Sequence, residues 1–167
     1  MAVKHSINGW PVIESGSSPL LKSFTIPGTK RKVLLRRDVG AYLVAYAAEY
    51  HQKIAPIDTG TFDDWAWSPL RNGRASSQIS DHCAGVALDL NATAEGSQSS
   101  SNVFWKKHPL KALAQRSLLK KYRLLEWGGD YKRAWDPMHV VIKTNDVKAV
   151  KAEMKRLGIT ATGAIKK

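Results

Sequence analysis

An aspartate inside an apolar run is the feature that most restricts how this chain can fold. Residues 86–90 read Val-Ala-Leu-Asp-Leu, which predicts an interior β-strand carrying one carboxylate, Asp89. A carboxylate in such a strand is energetically costly unless it is paired or bound to a metal. Because strand side chains alternate between two faces, Ala87 shares a face with Asp89, and its small side chain leaves room in front of the carboxylate. We therefore expect a partner for Asp89 on that face.

His82 is the nearest candidate for that partner. It precedes the strand, and Gly85 between them permits a bend that brings the imidazole round to the face of Asp89. On this spacing alone, a metal site competes with a solvated loop histidine beside a structural aspartate, and both interpretations stay open.

A second stretch carries the same residue types. In residues 135–142, which read Trp-Asp-Pro-Met-His-Val-Val-Ile, His139 opens an apolar strand and Asp136 lies three residues before it. Two histidines and an aspartate are a normal zinc ligand set that leaves the fourth position for water. A further carboxylate near that water, here Asp136, is suited to take its proton and return it to a leaving amine. The alternative is a turn aspartate followed by a buried histidine.

The rest of the chain predicts an α+β fold in which an antiparallel sheet core is flanked by helices, because strand and helix signals are mixed without βαβ regularity. No repeat and no clear linker is visible, so we predict a single domain over residues 1–167. The predicted strands lie at 24–27, 32–36, 63–70, 86–90 and 140–142.

Three helices are predicted from apolar spacing and from start and stop signals. The helix at 39–52 is predicted to be amphipathic, with Asp38 as its cap. The helix at 109–122 is predicted to present one apolar face, made by Leu110, Leu113, Ala114, Ser117, Leu118 and Tyr122. The last helix is predicted to be capped by Asn145 and stopped by Gly158.

Charge is the unusual part of the composition. Lys and Arg number 26 against 14 Asp and Glu, which gives a net charge of +12 and a pI near 9.9. This balance favours a polyanionic partner such as nucleic acid, an anionic membrane surface or the acidic bacterial wall. The basic residues are scattered and form no recognised motif, so we expect no specific nucleic-acid partner. The longest uncharged runs are ten residues, too short for a membrane span.

The single cysteine, Cys83, excludes an internal disulfide framework and a multi-cysteine zinc site. It adjoins His82, but adjacent residues rarely bring an imidazole onto a thiol, so a cysteine peptidase is disfavoured. Residues 1–10 lack the apolar segment of a secretory signal, and we expect the protein to be made in, and at first to remain in, a cytoplasm.

Together the two stretches resemble the zinc D-alanyl-D-alanine carboxypeptidase family, which includes phage peptidoglycan endopeptidases and is structurally akin to hedgehog-type domains. The first motif, Ser-x-His-x-x-Gly-x-Ala-x-Asp, occupies 80–89, and an Asp-x-x-His motif occupies 136–139. The resemblance covers about 7–143 and implies a hedgehog/D,D-peptidase-like fold. Short stretches that resemble actinobacteriophage lysin peptidase domains lie at 8–12, 46–56, 89–92 and 127–130.

The resemblance implies that His82, Asp89 and His139 bind one Zn²⁺ per chain and that Asp136 is the general base. Many relatives carry Glu at the position of Asp136, and Asp is also used among phage lysins. A complete ligand set with this carboxylate implies an enzyme rather than a binding module.

The family also places an arginine upstream of the first motif, where it holds a substrate carboxylate or polarises the scissile carbonyl. Here Arg71 keeps one arginine of that pattern and Ser68 replaces another, so Arg71 is the first choice and Arg74 the second. We expect Ser80 and Trp127 to contact substrate as well.

The function that this resemblance implies is a zinc metallopeptidase that hydrolyses the peptide stems or cross-links of bacterial peptidoglycan, with anionic wall polymers as further partners. We expect a monomeric phage endolysin that stays in the host cytoplasm until a holin opens the membrane and then acts on the cell wall. Two alternatives stay open: a bacterial D,D-carboxypeptidase, and a catalytically silent wall-binding module on the same fold. The sequence does not distinguish endopeptidase from carboxypeptidase cleavage.

Overall fold

The computed structural model of the chain describes residues 3–58, 62–70, 78–92 and 103–166. Within these residues the fold is α+β, as predicted, with two small antiparallel sheets and four α-helices. The strands are β1 (Leu21–Thr25), β2 (Lys32–Arg36), β3 (Ala87–Asp89), β4 (Leu125–Trp127) and β5 (His139–Ile142). The helices are α1 (Gly40–Lys53), α2 (Val103–Lys107), α3 (Pro109–Lys121) and α4 (Val147–Arg156), and short 3₁₀ helices lie at Asp81–Ala84 and Gly128–Asp130.

The first sheet is a hairpin of β1 and β2, with Leu21 opposite Arg36 at its open end. Its turn contains Gly28 at a φ of 83°, a conformation that favours glycine. The second strand has its predicted bounds. The first strand lies earlier than the predicted 24–27, because Pro27 has no N–H for a strand ladder and belongs to the turn.

Helix α1 forms the centre of the core. Eleven of its fourteen residues are buried, so the predicted amphipathic helix at 39–52 is covered almost all round. The cap prediction is also wrong: Val39 holds the N-cap position, and no side chain caps the helix. The Asp38 carboxylate instead faces the guanidinium of Arg36, with Oδ1 3.8 Å from Nε.

Helix α3 packs on this core through a different face from the predicted one. Leu110 and Leu113 are exposed, whereas Gln115 and Leu118 are buried. The Gln115 amide donates to the buried hydroxyl of Tyr46, and this polar contact faces the core in place of the two leucines. The prediction is therefore wrong for Leu110 and Leu113 and confirmed for Leu118.

The second sheet has β5 between β3 and β4, with both pairs antiparallel. Its register places Asp89 opposite His139. The strand predicted at 63–70 contributes only a single bridge, between Trp65 and Asp89, because Trp67 donates its N–H to β2 instead. Strand β4 had no counterpart among the sequence predictions.

The N-cap of helix α4 lies one residue after the predicted cap, Asn145. Asp146 is the N-cap and accepts two backbone N–H groups of the first turn, while Asn145 donates its amide to the Gly9 carbonyl at 3.1 Å. Gly158, at a φ of 67°, follows the helix end as predicted. In the part of the chain that the structure describes, no helix is long and apolar enough to cross a membrane.

Candidate active site

The three residues predicted to bind a metal converge at one end of the three-stranded sheet. Oδ1 of Asp89 lies 2.9 Å from Nδ1 of His139 and 3.2 Å from Nε2 of His82. The two ring nitrogens are 3.1 Å apart. Asp89 and His139 meet because they are directly opposite in the register of β3 and β5.

His82 reaches this point through a tight bend. Its 3₁₀ helix begins after Ser80, whose Oγ accepts the His82 N–H at 3.3 Å, and ends at Gly85 with a φ of 70°. A Cβ on Gly85 would lie 2.8 Å from the backbone nitrogen of Arg36. Both the positive φ and the close approach favour glycine, and the bend predicted at this residue is present.

The carbonyl of Ala66 holds the His82 ring in one orientation, 2.5 Å from Nδ1. When Nδ1 of a neutral imidazole donates its proton, Nε2 presents a lone pair. Nε2 of His82, Oδ1 of Asp89 and Nδ1 of His139 can then each donate an electron pair to the same cation. Their atoms all lie within 4.8 Å of one another and could hold a metal ion. A carbonyl-bound imidazole is the usual support of a metal-ligating histidine, and this donor set suits zinc.

The charges of these three side chains shift one another. Burial alone would raise the pKa of Asp89, but the hydrogen bonds from His139 and His82 outweigh it and lower this pKa to about 2. Burial lowers the pKa of His82, and the hydrogen bond and charge of Asp89 outweigh that effect, so the pKa rises above its ordinary value. Both pKa shifts come from the attraction between the Asp89 carboxylate and the imidazoles. This group of side chains therefore favours a positive charge between them.

Asp136 lies beside these three residues in the wall of the same cleft. Its backbone is fixed at both ends, since its N–H donates to Gly128 at 3.0 Å and its carbonyl accepts the N–H of His139 at 3.1 Å. Its Oδ1 is buried and has no hydrogen-bond partner among the described residues. Burial raises the pKa of the carboxyl, His139 opposes this, and Asp89 adds to it. A carboxyl with a raised pKa is suited to exchange a proton with a reacting group.

Two adjacent glycines permit this position of Asp136. A Cβ on Gly128 would lie 2.1 Å from the carbonyl oxygen of Asp136, a distance that no side chain can occupy. A Cβ on Gly129 would lie 2.2 Å from the ring of Trp127. The sequence Gly-Gly at 128–129 is therefore required by close approach of the chain.

Trp127 supports, from the core, the loop that joins β4 to β5 and carries Asp136. Its indole N–H donates to the Pro137 carbonyl at 2.6 Å, and Trp135 donates to Gly129 at 2.8 Å. The side chain of Trp127 is 2% exposed, so direct contact with substrate stays a prediction that this placement does not favour.

The cleft in front of these groups has a volume of about 550 Å³. One wall is the N-terminal arm at Ile7 and Asn8. Asp81 fixes this arm by accepting the Ser6 hydroxyl at 2.5 Å, the Asn8 N–H at 3.1 Å and the Asn8 amide at 3.0 Å. Sequence reasoning missed this role of Asp81, since its partners are 73 to 75 residues away and its only signal was adjacency to His82.

The other predicted site residues have mixed outcomes. Ser80 is exposed and lines the cleft beside His82. Arg71 and Arg74 lie outside the described residues. Cys83 is buried, and burial raises the pKa of its thiol, which disfavours the reactive thiolate.

Comparison with known proteins gives one match. Residues 74–142 match the family model described as D-alanyl-D-alanine carboxypeptidase. The matched segment contains His82, Asp89, Asp136 and His139, and it supports a peptidase that acts on peptidoglycan. No curated protein and no solved structure matches the chain.

Proposed function

We propose that this protein is a zinc-dependent peptidase that hydrolyses peptide bonds in the stems or cross-links of peptidoglycan. The observation that carries the proposal is the convergence of His82 Nε2, Asp89 Oδ1 and His139 Nδ1 within 3.2 Å of one another beside Asp136 in an open cleft. The family match over 74–142 supports the same activity.

His82, Asp89 and His139 are the residues that would hold the metal. A zinc ion bound there would supply a Lewis acid that lowers the pKa of a water molecule and polarises the scissile carbonyl. The chain prepares these ligands in advance: Ala66 fixes the His82 tautomer, and the strand register fixes Asp89 against His139.

Asp136 performs the proton transfers in this proposal. Its carboxylate takes a proton from the attacking water and returns it to the nitrogen of the leaving amine. The raised pKa favours the second step without preventing the first, because a general acid–base group works best near the operating pH. The close approach of Gly128 sets the position from which Asp136 acts.

Substrate is proposed to be held at the rim of the cleft. Ser80 has the exposure that this role requires, and Arg71, or Arg74 after it, is proposed to bind a substrate carboxylate or the polarised carbonyl oxygen. The net charge of +12 supports association of the monomer with anionic wall polymers.

We further propose that the protein acts in host lysis as a phage endolysin, which implies storage in the host cytoplasm and release to the wall through a holin. Support comes from the stretches at 8–12, 46–56, 89–92 and 127–130 that resemble actinobacteriophage lysin peptidase domains.

Digestion of purified peptidoglycan tests the proposal, with new amino and carboxyl termini identified by mass spectrometry. We expect hydrolysis by the zinc-loaded protein, loss of hydrolysis after chelation and recovery on adding zinc. The termini identify the bond and separate endopeptidase from carboxypeptidase action. Binding to the wall without new termini would contradict the proposal and favour the silent binding module.

A further inference from the structure

The described lining of the cleft carries the opposite charge sign to the chain as a whole. Four carboxylates, those of Asp81, Asp89, Glu126 and Asp136, are among its described lining residues, and no lysine or arginine is. The whole chain has a net charge of +12. Near these carboxylates the cleft favours a cationic group of a ligand over an anionic one.

Three of these carboxylates already have a structural or chemical role. Asp81 fixes the N-terminal arm, Asp89 belongs to the metal-binding trio and Asp136 lies against it. Glu126 is exposed and makes no hydrogen bond or ion pair with any residue that the structure describes. Its carboxylate is therefore available to a ligand in the cleft.

The sheet register locates Glu126 relative to the candidate catalytic centre. Glu126, Val141 and Ala87 lie side by side across the three strands and form one row of the sheet. In the next row on the same face, two residues along the strands, Asp89 lies opposite His139. Rows on one face are about 6.7 Å apart along a strand, and neighbouring strands are about 4.8 Å apart. The Cα of Glu126 is thus about 8 Å from that of His139 by strand geometry. A residue spans at most about 3.6 Å, so Glu126 can reach a group one or two residues from the scissile bond.

Tyr131 adds a second acceptor beside Glu126. Burial raises the pKa of Tyr131 to about 12, and the negative charges of Glu126, Asp81 and Asp136 contribute to the increase. Tyr131 and these three carboxylates line the same cleft. The phenol oxygen and the ring face of Tyr131 both favour a cation.

We infer that Glu126, assisted by Tyr131, forms a subsite for an ammonium group of the substrate close to the bond that is cut. The inference rests on the proposed function and adds a substrate class to it: peptides with a free amine near the scissile bond. That amine is either the side-chain amine of a diamino acid or a free amino terminus.

The test compares soluble muropeptides from a lysine-type wall, cross-linked and uncross-linked, with their amines free or acetylated. When the stems are cross-linked directly, without bridge peptides, muropeptides that retain the sugar have no free amino terminus, whereas peptides released from the sugar have one. The two preparations therefore separate the two sources of ammonium. The enzymes are the zinc-loaded full chain, Glu126→Gln and Glu14→Gln, which changes an exposed glutamate outside the cleft lining.

We expect the unaltered chain to cleave free-amine substrate with a kcat/KM about tenfold above that for acetylated substrate, as a charge-assisted hydrogen bond provides. Glu126→Gln should lose about tenfold on the free-amine substrate only, and Glu14→Gln should behave as the unaltered chain. A preference seen with sugar-linked muropeptides assigns the side-chain amine, and one confined to sugar-free peptides assigns the amino terminus.

Equal kcat/KM for free and acetylated substrates would overturn the subsite, and so would a preference for free amines that persists in Glu126→Gln. In either case, metal-dependent hydrolysis would leave the proposed function intact. A loss in Glu126→Gln of the same size on both substrates would also overturn it, because it would indicate a structural role. Absence of hydrolysis in every arm would refute the proposed function and the subsite together.

Discussion

Replacing Asp136 by asparagine separates its chemistry from its structure. The backbone contacts to Gly128 and His139 do not involve the side chain, and Oδ1 has no partner among the described residues. Asparagine has nearly the same shape, so Asp136→Asn should keep the fold and the metal. It cannot take a proton, and loss of a positioned acid–base group lowers turnover by about 10²–10⁴-fold. That range corresponds to about 3–5 kcal/mol of activation free energy.

The assay measures zinc stoichiometry, melting temperature and the hydrolysis rate of soluble muropeptides on one preparation. Asp130→Asn is the matched control, because Asp130 is an exposed carboxylate in the same loop, paired with Arg116 at 2.8 Å. We expect the control to hydrolyse at a near-normal rate. Full zinc, unchanged melting and a near-normal rate in Asp136→Asn would refute the reasoning and remove Asp136 from the mechanism.

Three further predictions concern the loop, the cysteine and the charge. Gly128→Ala should lower turnover and melting temperature together, because the new Cβ would lie 2.1 Å from the Asp136 carbonyl. An unchanged turnover and melting temperature would show that the loop between β4 and β5 does not depend on a glycine at position 128. Cys83→Ser should stay active, since the buried thiol has a raised pKa, and a folded, zinc-loaded but inactive variant would revive a thiol mechanism. Raising salt from 0.1 to 1 M, which shortens the Debye length from about 10 to about 3 Å, should weaken wall pelleting more than muropeptide turnover. Equal losses in the two assays would contradict a role of the net charge in wall association.

Much of the candidate site could be predicted because its chemistry lies in short local patterns. Asp89 stands out in an apolar strand, Gly85 marks the bend toward His82, and His139 opens the strand that pairs with Asp89. Each of these signals depends on residues fewer than ten positions apart. The pairing between the two stretches was supplied by the family resemblance rather than by spacing.

The parts that sequence reasoning missed depend on distant partners. Asp81 acts through Ser6 and Asn8, which no local pattern links to it. The predicted cap of α4 failed for the same reason, because Asn145 donates its amide to the carbonyl of Gly9. The predicted cap of α1 failed for a local reason, because the Asp38 carboxylate faces Arg36. Strand β4 is only three residues long and runs directly into two glycines, so its sequence predicts a turn.

Correlation of bound zinc with hydrolysis tests the central claim most directly. Zinc per chain is measured by elemental analysis, and peptidoglycan hydrolysis by mass spectrometry, for the unaltered chain, His82→Ala and His139→Ala. We predict one zinc per chain and hydrolysis in the unaltered protein, and the loss of both in each variant. Hydrolysis by a sample without stoichiometric zinc, or by a folded variant that has lost its metal, would contradict the assignment of His82, Asp89 and His139 as the ligands of a catalytic zinc.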